Sequence, residues 1–127
     1  MKLAIAALYV AWASQYSPGV MRQVVENRQA GRAYVSLPAD LPAVDGHIAV
    51  ADCARLGDIV YLRPAGAESW ETHLVVDCAH PMDGTTEWMR DNNIAVEVSY
   101  QTAKRWDTVG RGIEVEIGIS YPAGLFP

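Results

Sequence analysis

Two acids stand where strand alternation would turn a side chain away from an apolar face. Asp77 ends the run Thr72-His73-Leu74-Val75-Val76-Asp77, and Glu97 lies inside Ile94-Ala95-Val96-Glu97-Val98. A period of two puts His73, Val75 and Asp77 on one face of the first run and Leu74, Val76 and Cys78 on the other. It likewise sets Ala95, Glu97 and Ser99 opposite Val96 and Val98. If the apolar positions face the interior, both carboxyl groups project outward beside a groove. Two carboxyls across a groove suit glycosidic cleavage: one, protonated by a raised pKa, donates to the leaving oxygen, and the other, ionised, activates water or stabilises positive charge. Plainer readings stand beside this one. Asp77 at a strand end would serve as a cap for the following loop by accepting backbone N–H groups, and Glu97 would serve as a solvated face residue.

The elements that must position these acids are legible from period and punctuation. Residues 3–14 are an apolar run closed by Ser17-Pro18-Gly19; Ser17 reads as an N-cap and Pro18 as the first-turn proline of a helix over about 18–30. Val20, Met21, Val24, Val25 and Arg28 repeat there at helical spacing, and Gly31 suits the left-handed residue that ends a helix. Two prolines make 34–45 an extended crossing segment. Strands follow at 47–52, 58–63, 70–77, 94–98 and 112–119, with a long polar connection over 79–93 that holds one helical turn at Glu87 to Arg90. Ser99 is placed to cap a short helix from Tyr100 to Trp106, with Ala103 and Trp106 inward. The tail from Tyr121 onward reads as irregular. Six or seven short strands with two short helices describe a small β-barrel, a closed sheet without free edges.

Length and composition narrow the classes. A chain of 127 residues, half of them hydrophobic, suits a single domain over 1–127 able to bury its own core. A net charge of −5 without any basic run argues against a phosphate backbone, and so against nucleic acid, as partner. No apolar stretch reaches the length of a membrane span. Residues 1–13 read two ways, as a minimal signal-like segment ending in Ala11-Trp12-Ala13 or as a buried first strand. Two cysteines, Cys53 and Cys78, permit one disulfide. A zinc set built from Cys53, His73, Cys78 and His80 lacks the paired tight spacings of such sites, so neither a metal nor a cofactor is expected. Four tryptophans are many for this length: Trp106 suits the core, whereas Trp88, in the polar connection, suits stacking on a sugar ring. Nothing in the pattern sets an oligomeric state.

Several short motifs together resemble a known family. Ala13-Ser14-Gln15-Tyr16-Ser17-Pro18-Gly19 is similar to the opening strand and turn of the double-psi β-barrel domain of rare lipoprotein A-like proteins. Ile48-Ala49-Val50-Ala51-Asp52-Cys53 with Leu56-Gly57-Asp58-Ile59-Val60 resembles the family's next strand, its turn and the strand after it. Leu74-Val75-Val76-Asp77 resembles the strand that ends in the family's Asp, and Val96-Glu97-Val98-Ser99 with Thr102-Ala103 and Gly110 resembles the motif that ends the barrel. Expansins, barwin-like proteins and family 45 endoglucanases share this barrel.

The resemblance implies a mainly β, six-stranded double-psi β-barrel with short helical insertions, acting outside the cytoplasm on peptidoglycan or a related polysaccharide. It implies a lytic transglycosylase or glycoside hydrolase, in which Asp77 is the acid/base of a reaction that closes an anhydro ring with the sugar's own hydroxyl. It also allows a non-catalytic carbohydrate- or peptidoglycan-binding module of the expansin or barwin kind. Tyr16 falls on the family's groove tyrosine, and His73, Trp88 and Tyr100 join it as candidate substrate contacts. Glu97 stands where the family has Asp, one methylene longer, and Ala95 stands where expansins carry His. The alignment sets Cys53 and Cys78 beside the same groove, which implies a disulfide between them.

Overall fold

β-Branched and aromatic residues at alternating positions supply a pleated surface with one apolar side, and six such segments here pair edge to edge until no edge is left. The computed structural model describes residues 4–79 and 84–121, with side chains from 10 to 79 and from 84 to 118. Residues 1–3 of the N-terminal segment, the 80–83 part of the long connection and the tail beyond Tyr121 lie outside the described residues. The elements run β1 (Ala4–Gln15), α1 (Val20–Gln29), β2 (Gly46–Val50), a 3₁₀ turn (Cys53–Arg55), β3 (Ile59–Pro64), β4 (Glu71–Cys78), α2 (Thr85–Asp91), β5 (Ile94–Val98), α3 (Tyr100–Arg105) and β6 (Ile113–Tyr121). The chain is mainly β, a six-stranded mixed sheet whose hydrogen bonds run round a closed ring in the order β1-β5-β2-β4-β3-β6. β1 and β5 are parallel, as are β2 and β4; the other four pairings are antiparallel.

The interior of the ring is filled from every strand. Ala11, Ala13, Ile48, Val60, Leu62, Val75, Val96, Val98, Val115 and Ile117 form one buried cluster with Ala103 of α3. A second cluster lies outside the ring, where Met21 and Val25 of α1 and Leu37 cover Leu74 and Val76 of β4. β4 is therefore buried on both faces: Val75 points in and its neighbours point to α1. The simple alternation reading put Leu74 and Val76 inside; they are instead the seat of the helix, each contributing about 2 kcal/mol of burial there.

The start of α1 differs from the expected cap. Pro18 and Gly19 make a turn of the type II pattern, Gly19 adopting φ 77° and the Val20 N–H bonding the Ser17 carbonyl at 3.2 Å. The helix begins only at Val20, with no side-chain cap. A proline followed by glycine satisfies that turn better than it continues a helix, so the turn prevails over the cap. Gly31 has positive φ just past the helix, as expected. Ser99 caps α3 as its spacing predicts, its Oγ accepting from the Thr102 N–H at 3.2 Å.

Candidate functional site

The two acids come together because of one irregularity in pairing. β2 and β4 run in register from Gly46↔His73 to Ile48↔Val75, then slip so that Ala49 faces Asp77. The extra residue, Val76, is a β-bulge, and it changes the phase of everything after it. Val75 points into the ring, so unbroken alternation would bring Asp77 inside as well. The bulge instead turns Asp77 to the α1 side, where its carboxylate meets Tyr16 and Arg28. Ala49 is also registered with Glu97 of β5, and Glu97 with Ser14 of β1. Ser14, Glu97, Ala49 and Asp77 thus form one row across four adjacent strands. The two acids flank a methyl group, two strand spacings apart, or about 9.6 Å between Cα atoms.

Asp77 is held on both oxygens. The Tyr16 hydroxyl donates to Oδ2, and Arg28 Nη2 donates to Oδ1 at 2.5 Å. Arg28 comes from the last turn of α1, with its side chain 6% exposed against 14% for Asp77. Its Nη1 also donates to the Val35 carbonyl at 2.8 Å, and Nη2 lies 3.7 Å from Cys78 Sγ. Sequence reasoning placed Arg28 on the helical repeat without a role. The signal was there: a guanidinium in line with Met21 and Val25 on an apolar stripe needs an anion to be buried at all.

The disulfide implied by the resemblance is present. Cys53 and Cys78 are joined with their Cα atoms 4.9 Å apart. The bond ties the residue after Asp77 to the 3₁₀ turn after β2, and it removes both cysteines from the zinc alternative. Among the described residues no group of three metal-binding side chains gathers.

Environment separates the titrating groups. Burial pushes the Glu97 carboxyl above its ordinary value, the negative charge of Asp77 adds to the effect, and Ser14 partly opposes it. Burial, then the hydrogen bond to Asp77, raises the Tyr16 phenol far above its ordinary range, so Tyr16 remains a donor.

The remaining expected contacts scatter. His73 sits four residues before Asp77, roughly 13 Å along the strand, and is fully buried. Its Nε2 pairs with Glu71 Oε1 at 2.9 Å, and its ring lies 5.9 Å from that of Trp106. It belongs to the packing under α3 and offers no surface to a glycan, which corrects its assignment as a substrate contact. Glu71 also accepts from Arg105 at 2.6 Å and from Trp106 Nε1 at 2.9 Å. Burial alone would raise the Glu71 carboxyl, but these donors outweigh it and hold it below the ordinary value. Gly46 is required beside this cluster, since a Cβ there would stand 2.6 Å from both His73 Cε1 and Thr102 Oγ1. Trp88 is 49% exposed on α2, which packs on β5, and it lines neither of the two cavities described next.

Two cavities border the site. One of about 420 Å³ is lined by Ser14, Tyr16 and Arg111 among others; a larger one of about 650 Å³ lies between α1 and α3, with Val25, His47 and Lys104 in its wall. Ser17 and the half-exposed Tyr100 line both, so the two adjoin there. Tyr16 and Tyr100 therefore share a groove, and Tyr16 connects that groove to Asp77.

No family model matches this chain, and no curated protein matches it. No helix among the described residues is long and apolar enough to cross a membrane.

Proposed function

We propose that this chain is a double-psi β-barrel of the rare lipoprotein A-like kind that acts on cell-wall glycan outside the cytoplasm, as a lytic transglycosylase or glycoside hydrolase. The observation that carries the reading is the row Glu97, Ala49, Asp77. It sets two carboxyl groups on one outer face in unlike environments, one raised by burial and the other held by an arginine and a tyrosine. The mixed, closed six-stranded ring supports the barrel. The disulfide supports an oxidising compartment.

The geometry favours Glu97 over Asp77 as proton donor. An acid/base at Asp77 has to release an oxygen from Tyr16 or Arg28, whereas Glu97 carries a proton more readily. Glu97 then protonates the glycosidic oxygen as the bond from that oxygen to C1 breaks, and Asp77 faces the positive charge that develops on the sugar. The sugar's own hydroxyl, or a water, attacks C1 and returns its proton to the Glu97 carboxylate.

The test is incubation of the purified protein with peptidoglycan and with soluble cellulose, followed by mass spectrometry of released fragments. Anhydro-sugar ends identify a lytic transglycosylase and reducing ends a hydrolase, with either signal lost in Glu97→Gln. That variant is cleaner than Asp77→Asn, which also breaks a buried ion pair. Undiminished release by Glu97→Gln would refute the assignment of the donor.

One observation favours a binding-only module as the second reading: Asp77 is only 14% exposed and fully engaged, as a structural anchor would be. That reading predicts retention on one of the polymers, no fragments, and affinity that depends on Tyr16 and Tyr100.

A further inference from the structure

The groove beside the site has a charge character at odds with the rest of the molecule. The chain carries 15 acids against 10 Lys and Arg, and most described cations have a carboxylate within 4.0 Å: Arg22, Arg28, Arg55, Arg63, Arg90 and Arg105 all do. Among the described residues, Arg32, Lys104 and Arg111 do not. Two of these three line the adjoining cavities that make up the groove, Lys104 the larger and Arg111 the smaller. Both are exposed.

The groove also keeps acids away. No Asp or Glu lines the smaller cavity, and Asp45 is the single acid lining the larger. Asp45 is occupied: its Oδ2 accepts from the Thr72 N–H at 2.8 Å and from the Thr72 hydroxyl at 3.2 Å. Among the described residues Arg111 Nη2 donates only to the Asp107 carbonyl, at 2.9 Å, and cations without a carboxylate partner in a cleft, on a protein of net charge −5, concentrate anions where the remaining surface repels them. Tyr16 and Tyr100 line the cavity of Arg111, and Tyr100 also lines that of Lys104; both offer flat rings suited to the apolar face of a sugar.

We propose that this groove is a subsite for glycan strands bearing carboxylates, with Lys104 and Arg111 reading the negative charge while Tyr16 and Tyr100 hold the sugar chain. The inference rests on the glycan reading above and deepens it, by assigning a preference for acidic over neutral strands. Carboxylates of this kind come from the peptide stems of peptidoglycan, from the lactyl groups that removal of those stems leaves free, or from uronic acids.

The test is equilibrium binding of the whole chain to four probes: soluble peptidoglycan strands with their stem peptides, the same strands stripped of them, oligogalacturonate, and neutral chitin oligosaccharide. Lys104→Gln, Arg111→Gln and the double variant are compared, with melting temperature confirming that these exposed changes leave the fold intact. The wild type is expected to bind a carboxylate-bearing probe about tenfold more tightly than the neutral oligosaccharide. Each single variant is expected to lose about two- to fivefold of that preference, and added salt to reduce it further. Tight binding confined to stem-bearing strands, to stripped strands with their free lactyl carboxylates, or to oligogalacturonate supports the proposal and names the source of the carboxylates. Equal affinity for the neutral oligosaccharide and every carboxylate-bearing probe, or a preference unchanged in the double variant, overturns it. Binding of neutral glycan without charge preference overturns this inference alone, whereas failure to bind any of the four overturns the glycan reading itself.

Discussion

Arg28→Met is the substitution that asks most of the structure. It keeps an unbranched apolar stem on the α1 face that packs against Leu74 and Val76 but removes the guanidinium. What remains is a carboxylate 14% exposed, with Tyr16 as its remaining partner. Breaking a buried pair from one side costs about 3–5 kcal/mol, because the surviving charge keeps its desolvation penalty. The Val35 carbonyl also loses its 2.8 Å donor, adding about 1 kcal/mol. A loss of about 4 kcal/mol or more follows, equivalent to roughly 10–20 °C in melting temperature for a domain of this size. Urea denaturation of the wild type, of Arg28→Met, of Asp77→Leu and of the double variant measures it. The double variant is expected to recover most of the loss, since replacing both partners by apolar groups is often near neutral. Its residual deficit is then the Tyr16 hydroxyl left without an acceptor, about 1–3 kcal/mol, together with the Val35 carbonyl left without its donor, about 1 kcal/mol. A loss below about 1 kcal/mol for Arg28→Met is what an exposed, screened pair would give, and it would refute the reasoning.

Replacing Cys53 and Cys78 together by Ser opens a loop of sequence separation 25; the chain-entropy relation gives a loss of about 3–4 kcal/mol, visible as a lower urea midpoint without reductant and no difference in its presence. Glu97→Gln has a pH signature. The folded carboxyl is raised above its ordinary 4.5, so the stability it contributes is complete below that value and is lost as pH rises through the folded pKa. The variant is therefore expected to gain on the wild type toward neutral pH and to show no gain at acid pH, in denaturation midpoints followed across the range. Gly46→Ala drives a methyl to 2.6 Å from His73 and Thr102, and overpacking of this kind is expected to cost about 1–3 kcal/mol by thermal denaturation.

The strands and helices were readable because their signals are local. Period two gives β3, β5 and β6 to within a residue or two, and the Ser99 cap fixes the start of α3. What the sequence does not carry is which face of β4 meets the ring interior. Leu74, Val75 and Val76 are equally apolar, and the choice depends on α1 being laid over one side of them. The bulge at Val76 is hidden for a related reason, since it is a property of two strands and neither contains a residue that demands it. Asp77 was therefore placed on the outer face by reversed alternation together with a bulge that alternation cannot foresee. Its company was only partly visible. Tyr16 was named through a motif, whereas Arg28 is distant in sequence and reaches Asp77 because the helix docks. His73 was assigned to the site by phase alone, and the same bulge separates it from Asp77.

The closed ring also sets an order of events in the making of the chain. β1 pairs with β5 and β6 and with no other strand, from Trp12↔Ile94 to Ala4↔Tyr121. Of the six strands in the ring, the earliest synthesised is thus the one whose partners are synthesised last. At ordinary translation speeds the run Ala4–Gln15 waits roughly 5–20 seconds before β6 exists to receive it. Until then an apolar segment with every ladder group unpaired is open to other chains. Ring closure, being the most non-local step, is the slow one, and the N-terminal strand is where a chaperone would find this protein during its synthesis.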